Sequence, residues 1–117
     1  MLKENRSYFC EKKLLLHHSI NDPLKENKVL YFYNDDCPPC MALRPKIEFL
    51  LKKEFPLMNL IFINAAQNPE YTASMMIFSA PTIVVFFEGK EYMRYGKNAS
   101  VMQIKEDLQR PYSLLFN

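Results

Sequence analysis

Two cysteines, Cys37 and Cys40, enclose the prolines Pro38 and Pro39 and follow the apolar run at residues 28–33. A helical pattern begins at the second proline, so the first cysteine is predicted at a helix N-terminus, where unpaired N–H groups and the helix dipole favour a negative charge. A cysteine attacks disulfides as the thiolate, and this position can lower its pKa from about 8.5 to roughly 3.5–7.5. The spacing lets the two sulfurs form a disulfide, and the prolines stiffen the turn between them. The pattern therefore indicates a redox-active dithiol.

Two structural roles compete with redox chemistry at this pair. A structural zinc site usually has four ligands, and the remaining candidates, Cys10, His17 and His18, supply neither a second Cys-X-X-Cys pair nor a suitably spaced histidine pair. We therefore expect no metal site and no role for Cys10. Inert core cysteines are the other alternative, but two prolines between them at a strand-to-helix junction are unusual for packing alone.

Length and composition limit the protein to one domain without an evident polyanionic partner. The 117 residues are 49% hydrophobic, enough for one core, so we expect a single domain over 1–117 with residues 1–7 as a flexible lead-in. The net charge of +2 comes from 15 basic and 13 acidic residues spread along the chain, which disfavours a nucleic-acid partner. We also expect a monomer.

The N-terminal residues are polar and lead into no apolar stretch of signal-peptide or membrane-span length. We therefore expect a cytoplasmic protein without a membrane partner. Most thiols are kept reduced in the cytosol, so a Cys-X-X-Cys pair there is more typical of redox activity than of a structural crosslink. A processed, exported protein acting in envelope thiol maturation is a further alternative, and it would require an upstream signal in the gene.

The remaining pattern predicts the elements that position the cysteines. Apolar runs of strand length occupy residues 28–33, 59–64 and 81–87, and a tight turn joins the last of these to a further strand at residues 91–95. Helical patterns occupy residues 23–27, 39–55, 69–77 and a stretch from Ser100 that is expected to end at Pro111. Pro45 lies inside the second helix and should bend it. This order predicts an α/β fold with a mixed parallel and antiparallel sheet.

The sequence resembles the thioredoxin family from about residue 8 to residue 110. The matching positions are the Cys37-Pro38-Pro39-Cys40 motif, Pro45, residues 67–69, residues 79–82, the turn at residues 87–90 and Gly96. The resemblance implies the thioredoxin fold, a central mixed β-sheet flanked by helices on both faces. It also implies a thiol-disulfide oxidoreductase that reduces protein disulfides. Its electrons would come from a thioredoxin-reductase-like donor, and its dithiol would serve in place of any cofactor.

The resemblance also implies a role for each residue around the dithiol. Cys37 would be the exposed nucleophile that forms a mixed disulfide with the substrate, and the more buried Cys40 would resolve it. Pro81 is expected in the cis conformation against the cysteines. The backbone of Ala80 would pair with the substrate strand, and the opposite side of this substrate groove would be framed by Tyr95 and Gly96.

Two positions near the dithiol depart from the family pattern. The family has a buried aspartate six positions before its first cysteine, where this chain has Tyr31, and the lysine companion of that aspartate is replaced by Phe62. Losing both charges together leaves neither one buried without a partner. The proton acceptor for Cys40 is left open by this change.

Two acids precede the first cysteine. Asp36 stands where the family usually has tryptophan, and together with Asp35 it opposes the helix dipole at Cys37. Exposed carboxylates are screened over about 8 Å at physiological salt, whereas N–H groups in contact with the sulfur are not. We therefore expect a pKa for Cys37 below that of free cysteine but above that of the strong oxidants.

A binding or adapter module of thioredoxin fold, with an idle or regulatory dithiol, is the alternative function. The residues Tyr31, Phe62 and Asp36 favour it because they alter the usual catalytic surroundings. The intact pair of Cys37 and Cys40 favours catalysis.

Overall fold

The structure is a computed structural model that describes residues 27–116. Cys10, His17, His18 and most of the helix predicted at 23–27 lie outside the described residues. The elements are β1 (Lys28–Tyr33), α1 (Pro38–Glu54), β2 (Asn59–Asn64), α2 (Pro69–Ser74), β3 (Thr82–Phe87), β4 (Lys90–Tyr95) and α3 (Val101–Phe116). The four predicted strands are confirmed to within one residue at each end.

The described strands form one mixed sheet in the order β2-β1-β3-β4. β1 and β2 are parallel and are connected by α1, while β1 pairs with β3, and β3 with β4, in antiparallel fashion. β1 lies between two neighbours, and its residues from Val29 to Phe32 are at most 2% exposed. A strand covered on both faces needs a continuous apolar run, which explains the sequence pattern there.

Helices cover both faces of the sheet, as the fold prediction requires. On one face, α1 and α3 pack against alternate strand residues in a core that includes Val29, Tyr31, Ile47, Leu50, Leu51, Ile83, Val85, Ile104 and Leu108. The opposite face holds a smaller core of Leu30, Phe32, Ile63, Ile77 and Val84, which Tyr71 of α2 covers. Successive strand residues point to opposite faces, so the alternation along β1 supplies both cores.

The hairpin between β3 and β4 contains two residues with positive φ. Glu88 has φ 55° and Gly89 has φ 81°, the combination that a two-residue type I′ turn requires. The side-chain oxygen of Asn27 accepts a hydrogen bond of 2.9 Å from the Glu88 N–H group. The predicted tight turn is therefore present and is tied to the start of β1.

Helix α2 is shorter than the predicted 69–77 because Met76 has φ 59°, a left-handed conformation that ends the helix. The N–H group of Met76 donates to the carbonyl of Ala73, and that of Ile77 donates to the carbonyl of Thr72. These two bonds form a Schellman motif, in which glycine is the usual left-handed residue. Because this position holds methionine and not glycine, the residue pattern contains no stop signal for the helix.

Helix α3 continues past Pro111, so the prediction that it ends there was wrong. Proline cannot donate to the carbonyl four residues earlier, here that of Asp107. The Tyr92 hydroxyl donates to this carbonyl at 3.3 Å and replaces the missing bond. Beyond the proline, Tyr112 packs edge-on against Phe55 with ring centres 5.1 Å apart. Tertiary contacts thus carry the helix beyond its local stop signal.

The packing of α3 on the sheet can be tested with two leucines of that helix. Leu108 is fully buried, whereas Leu114 is 75% exposed. We expect Leu108→Ala to lower the free energy of unfolding by about 2–5 kcal/mol, because it leaves a cavity in the core. Leu114→Ala should change it by less than about 0.5 kcal/mol. Urea unfolding followed by circular dichroism measures both, and equal losses would contradict this packing.

Candidate active site

Cys37 and Cys40 form a disulfide at the start of α1, with their Cα atoms 5.2 Å apart. Cys37 is the N-cap residue, and Pro38 and Pro39 occupy the first helical positions, where their missing N–H groups cost nothing. The first N–H group of the helix is therefore that of Cys40, and it donates to the Cys37 sulfur at 3.2 Å. The same group is placed to stabilise a thiolate at Cys37 after reduction.

The two cysteines differ in exposure. Cys37 is 9% exposed and Cys40 is 1% exposed. The disulfide form is thus less open than the expected exposed nucleophile, but the order of accessibility is the expected one. An incoming sulfur meets Cys37 first because Cys40 is covered by the protein.

The loop before β3 brings a backbone carbonyl next to the disulfide. The Ala80–Pro81 peptide bond is cis, as expected, and the Pro81 side chain is fully buried. The Ala80 carbonyl oxygen lies 3.8 Å from the Cys37 sulfur. Thr82 donates its hydroxyl to the Ser79 carbonyl at 2.7 Å and closes the loop. The structure thus brings together Ala80 and Cys37, which are 43 residues apart in the chain.

Tyr95 and Gly96 lie at the end of β4, where Tyr95 pairs with Ile83 two residues beyond Pro81. A Cβ atom added to Gly96 would meet no atom within 4 Å, so this residue borders open space. The Tyr95 hydroxyl donates to the Asp107 carboxylate at 2.8 Å. Burial, together with this hydrogen bond, raises the pKa of Tyr95. Its hydroxyl is therefore committed to α3, and the framing of a substrate groove by this pair remains a prediction.

Tyr31 occupies the space beneath Cys40 and is fully buried. Its hydroxyl donates to the Cys40 carbonyl oxygen at 2.7 Å. Burial raises the pKa of Tyr31 to about 12, and the nearby Arg44 guanidinium partly opposes this rise. The hydroxyl is therefore protonated at neutral pH and serves as a donor. It positions the backbone of the second cysteine and cannot act as a base there.

Arg44 is a residue near the site that the sequence analysis missed. Its guanidinium carbon lies 3.9 Å from the centre of the Phe62 ring and 5.9 Å from that of Tyr33. Its Nε atom forms an ion pair of 3.9 Å with Glu48. Arg44 thus brings a cation to the ring that replaces the family's lysine. The available signal was its position four residues after Cys40, which puts both on one side of the helix.

The acids before the motif are both exposed. Asp35 accepts a hydrogen bond of 3.1 Å from the Asn64 side chain at the end of β2, and Asp36 lies next to Cys37 in the chain. Because both carboxylates are exposed, solvent and salt screen their repulsion of a Cys37 thiolate.

The described residues contain neither a metal-binding cluster nor a membrane-spanning helix. No group of three or more His, Cys, Asp or Glu side chains between residues 27 and 116 could hold a metal ion. In the same part of the chain, no helix is both long enough and apolar enough to cross a membrane.

The sheet, the flanking helices and the closed dithiol define a thiol-disulfide oxidoreductase of thioredoxin fold. Residues 12–110 match the family model described as Thioredoxin, so the chain belongs to the thioredoxin family. A curated relative, the thioredoxin-like protein YdfQ of Bacillus subtilis, is 29% identical over 98 residues, which cover 82% of this chain and 87% of the relative.

Solved thioredoxin structures show the same similarity. Thioredoxin 1 from Thermosipho africanus superposes with a TM-score of 0.69 and 29% identity, covering 77% of this chain and 99% of that one. Fasciola hepatica thioredoxin gives a TM-score of 0.68 and 29% identity, covering 81% and 89% respectively.

The role of Tyr31 can be tested with Tyr31→Phe. We expect this variant to lose about 1–3 kcal/mol of unfolding free energy, because the Cys40 carbonyl loses a buried donor. In a titration from pH 6 to 9, the midpoint for thiolate formation at Cys37 should be the same in the variant as in the wild-type protein. A tyrosine with a pKa of about 12 stays protonated throughout this range. Ultraviolet thiolate absorbance of the reduced protein measures this midpoint. A second titration step that disappears in the variant would show that Tyr31 acts as a base.

Proposed function

We propose that the protein reduces protein disulfides, with Cys37 as the nucleophile and Cys40 as the resolving residue. The observation that carries this proposal is the asymmetry of the dithiol. Cys37 is 9% exposed and its sulfur receives an N–H group at 3.2 Å, whereas Cys40 is 1% exposed. A stabilised, accessible thiolate beside a shielded thiol suits attack by the first and release by the second.

The reaction consists of two exchanges. The Cys37 thiolate attacks one sulfur of the substrate disulfide, a mixed disulfide forms, and the other substrate sulfur leaves as a thiolate. Cys40 then loses its proton and attacks the Cys37 sulfur, which closes the protein disulfide and releases the second substrate thiolate. Two electrons pass from the protein dithiol to the substrate. One substrate thiolate takes up the proton of Cys40 and the other takes a proton from solvent, and a second dithiol must reduce the protein again.

The proposed proton acceptor for Cys40 is the thiolate that leaves the substrate. A departing cysteine thiolate has an ordinary pKa of about 8.5, so it is basic enough to take a proton from another thiol. Tyr31 cannot fill this role because its raised pKa keeps it protonated. Its hydrogen bond of 2.7 Å instead holds the Cys40 backbone in place for the second attack.

The substrate strand is proposed to lie along Ala80, whose carbonyl oxygen is 3.8 Å from the Cys37 sulfur, and to pass the open space at Gly96. The proposed electron donor is a thioredoxin-reductase-like protein, and the dithiol carries both electrons without another cofactor. We propose a monomer in the cytoplasm, where such donors keep thiols reduced.

Insulin disulfide reduction with dithiothreitol tests the activity. We expect the protein to raise the rate well above the uncatalysed one, Cys37→Ser to abolish the increase, and Cys40→Ser to accumulate a mixed disulfide. Cys10→Ser is the matched cysteine control and should retain activity. A wild-type rate equal to the uncatalysed one would support the adapter module, whose favouring observation is the replacement of the buried acid and lysine by Tyr31 and Phe62.

The direction of electron flow is tested by the reduction potential of the Cys37 and Cys40 pair against a dithiothreitol or glutathione series. We expect a value near the thioredoxin range, about −270 mV. Cys40→Ser, which cannot form this disulfide, gives the baseline. A value near about −120 mV would contradict a cytoplasmic reductant and indicate an oxidant.

A further inference from the structure

Helix α1 carries an exposed apolar strip that begins directly after the disulfide. Met41 is 61% exposed, Phe49 is 65% exposed, and Pro45 between them is exposed as well. These three residues form the α1 strip. At 1.5 Å per residue they span about 12 Å along one side of the helix. Neighbouring large apolar side chains on a surface are typical of a protein contact site.

Positive charge accompanies the far end of the α1 strip. The exposed lysines of this helix are Lys46, Lys52 and Lys53. The Nζ atom of Lys53 lies 5.6 Å from the centre of the Phe49 ring, so ring and charge share one surface. Glu48, the acid nearest to the strip on α1, is paired with Arg44 of the same helix. Lys46 lies beside the strip, roughly 13 Å from Cys37 along the helix axis, and Lys52 and Lys53 lie past its end, at roughly 22–24 Å.

Negative charge lies at the opposite end, beside the disulfide. Asp35 and Asp36 are both exposed and immediately precede Cys37. The surface around α1 is therefore acidic near the reacting sulfur and apolar along the strip, with Lys46 beside the strip and Lys52 and Lys53 beyond Phe49. A complementary ligand needs the reverse order of charge.

We propose that the α1 strip is a second docking surface for the protein substrate. It selects segments with neutral or basic residues next to the reacting cysteine and with apolar, then acidic, residues about four to seven positions away. The strip's 12 Å correspond to about four residues of extended chain, and the lysines are within reach of the following ones. This inference rests on the proposed function, because the substrate cysteine must first engage Cys37.

A membrane surface fits this charge pattern less well than a polypeptide. Anionic lipids would attract the lysines of α1 but would repel Asp35 and Asp36. A bilayer laid along the whole α1 strip would also cover Cys37 and exclude disulfide substrates. A flexible segment can follow the change of sign from one end of the helix to the other.

Disulfide-linked peptides test the selection directly. Each peptide carries one cysteine joined to a quenched fluorescent thiol. The first peptide has a lysine next to the cysteine and, four to seven residues away, a tail of leucine followed by glutamates. The second has the lysine and the glutamates exchanged. The third has no tail. Tails are placed on either side of the cysteine. For one tail direction, we expect kcat/KM for the first peptide to exceed that for the other two by about 10-fold, with the advantage shrinking as salt is raised.

Two serine variants locate the effect on the helix. Phe49→Ser should reduce the advantage of the first peptide to below about 3-fold, because the strip loses its largest apolar side chain. Leu114→Ser, which removes a similarly exposed apolar residue from α3, should leave the 10-fold advantage intact. If both variants retain it, the α1 strip is not the docking surface.

The remaining outcomes separate this inference from the function on which it rests. Equal turnover of all three peptides by the wild-type protein overturns the docking surface alone. Turnover of none of them overturns the proposed disulfide reduction as well. Co-sedimentation with phosphatidylserine vesicles that is lost in Phe49→Ser would assign the strip to a lipid surface and also overturn the proposal.

Discussion

The hydrogen bond from the Cys40 N–H group to the Cys37 sulfur is the interaction on which the site depends, and the elements on either side of it hold both groups in place. Two prolines remove the earlier N–H groups of α1, so this donor is the first one that can reach the sulfur. Its position is fixed from both sides. β1 is buried between two strands and delivers the chain to Cys37, while the inner residues of α1 hold the helix against the sheet. A loose junction would present the same residues without the same effect on the thiolate.

The buried residues beneath Cys40, Tyr31 and Phe62, are uncharged, whereas the family has an aspartate and a lysine at these two positions. A buried aspartate and lysine must stay paired, because the loss of one partner leaves an uncompensated charge. Tyr31 and Phe62 avoid this cost, and their rings pack edge-on with centres 5.5 Å apart. The cation of Arg44 stacks over the Phe62 ring from the helix side, where it is only half-buried. The chain thus retains a donor and a cation near Cys40, and burial keeps the donor, Tyr31, protonated by raising its pKa to about 12.

The sequence was most informative where one residue pattern determines one local structure. Apolar runs identified β1, β2 and β3, the tight turn identified β4, and the cysteine motif identified the strand-to-helix junction. It failed where a distant contact overrides a local signal: α3 passes Pro111 because Tyr92, from another element, supplies the missing donor to Asp107. The end of α2 was missed because Met76 takes a conformation usual for glycine. Arg44 was missed because its partner Phe62 lies on β2, and only the register of the parallel strands brings that ring beneath α1.

The buried face of α1 is determined by packing in the core, whereas its exposed face is not. Its inner face must be apolar, since Ile47, Leu50 and Leu51 form part of the core, and any sequence of this fold needs such residues. Nothing in the packing requires the outer face to carry Met41 and Phe49, because solvent-facing helix positions are normally polar. Helical periodicity therefore explains the inner face completely and leaves the outer one unexplained. Because this apolar outer face starts next to the reacting disulfide, contact with the substrate explains it better than the folding of the chain does.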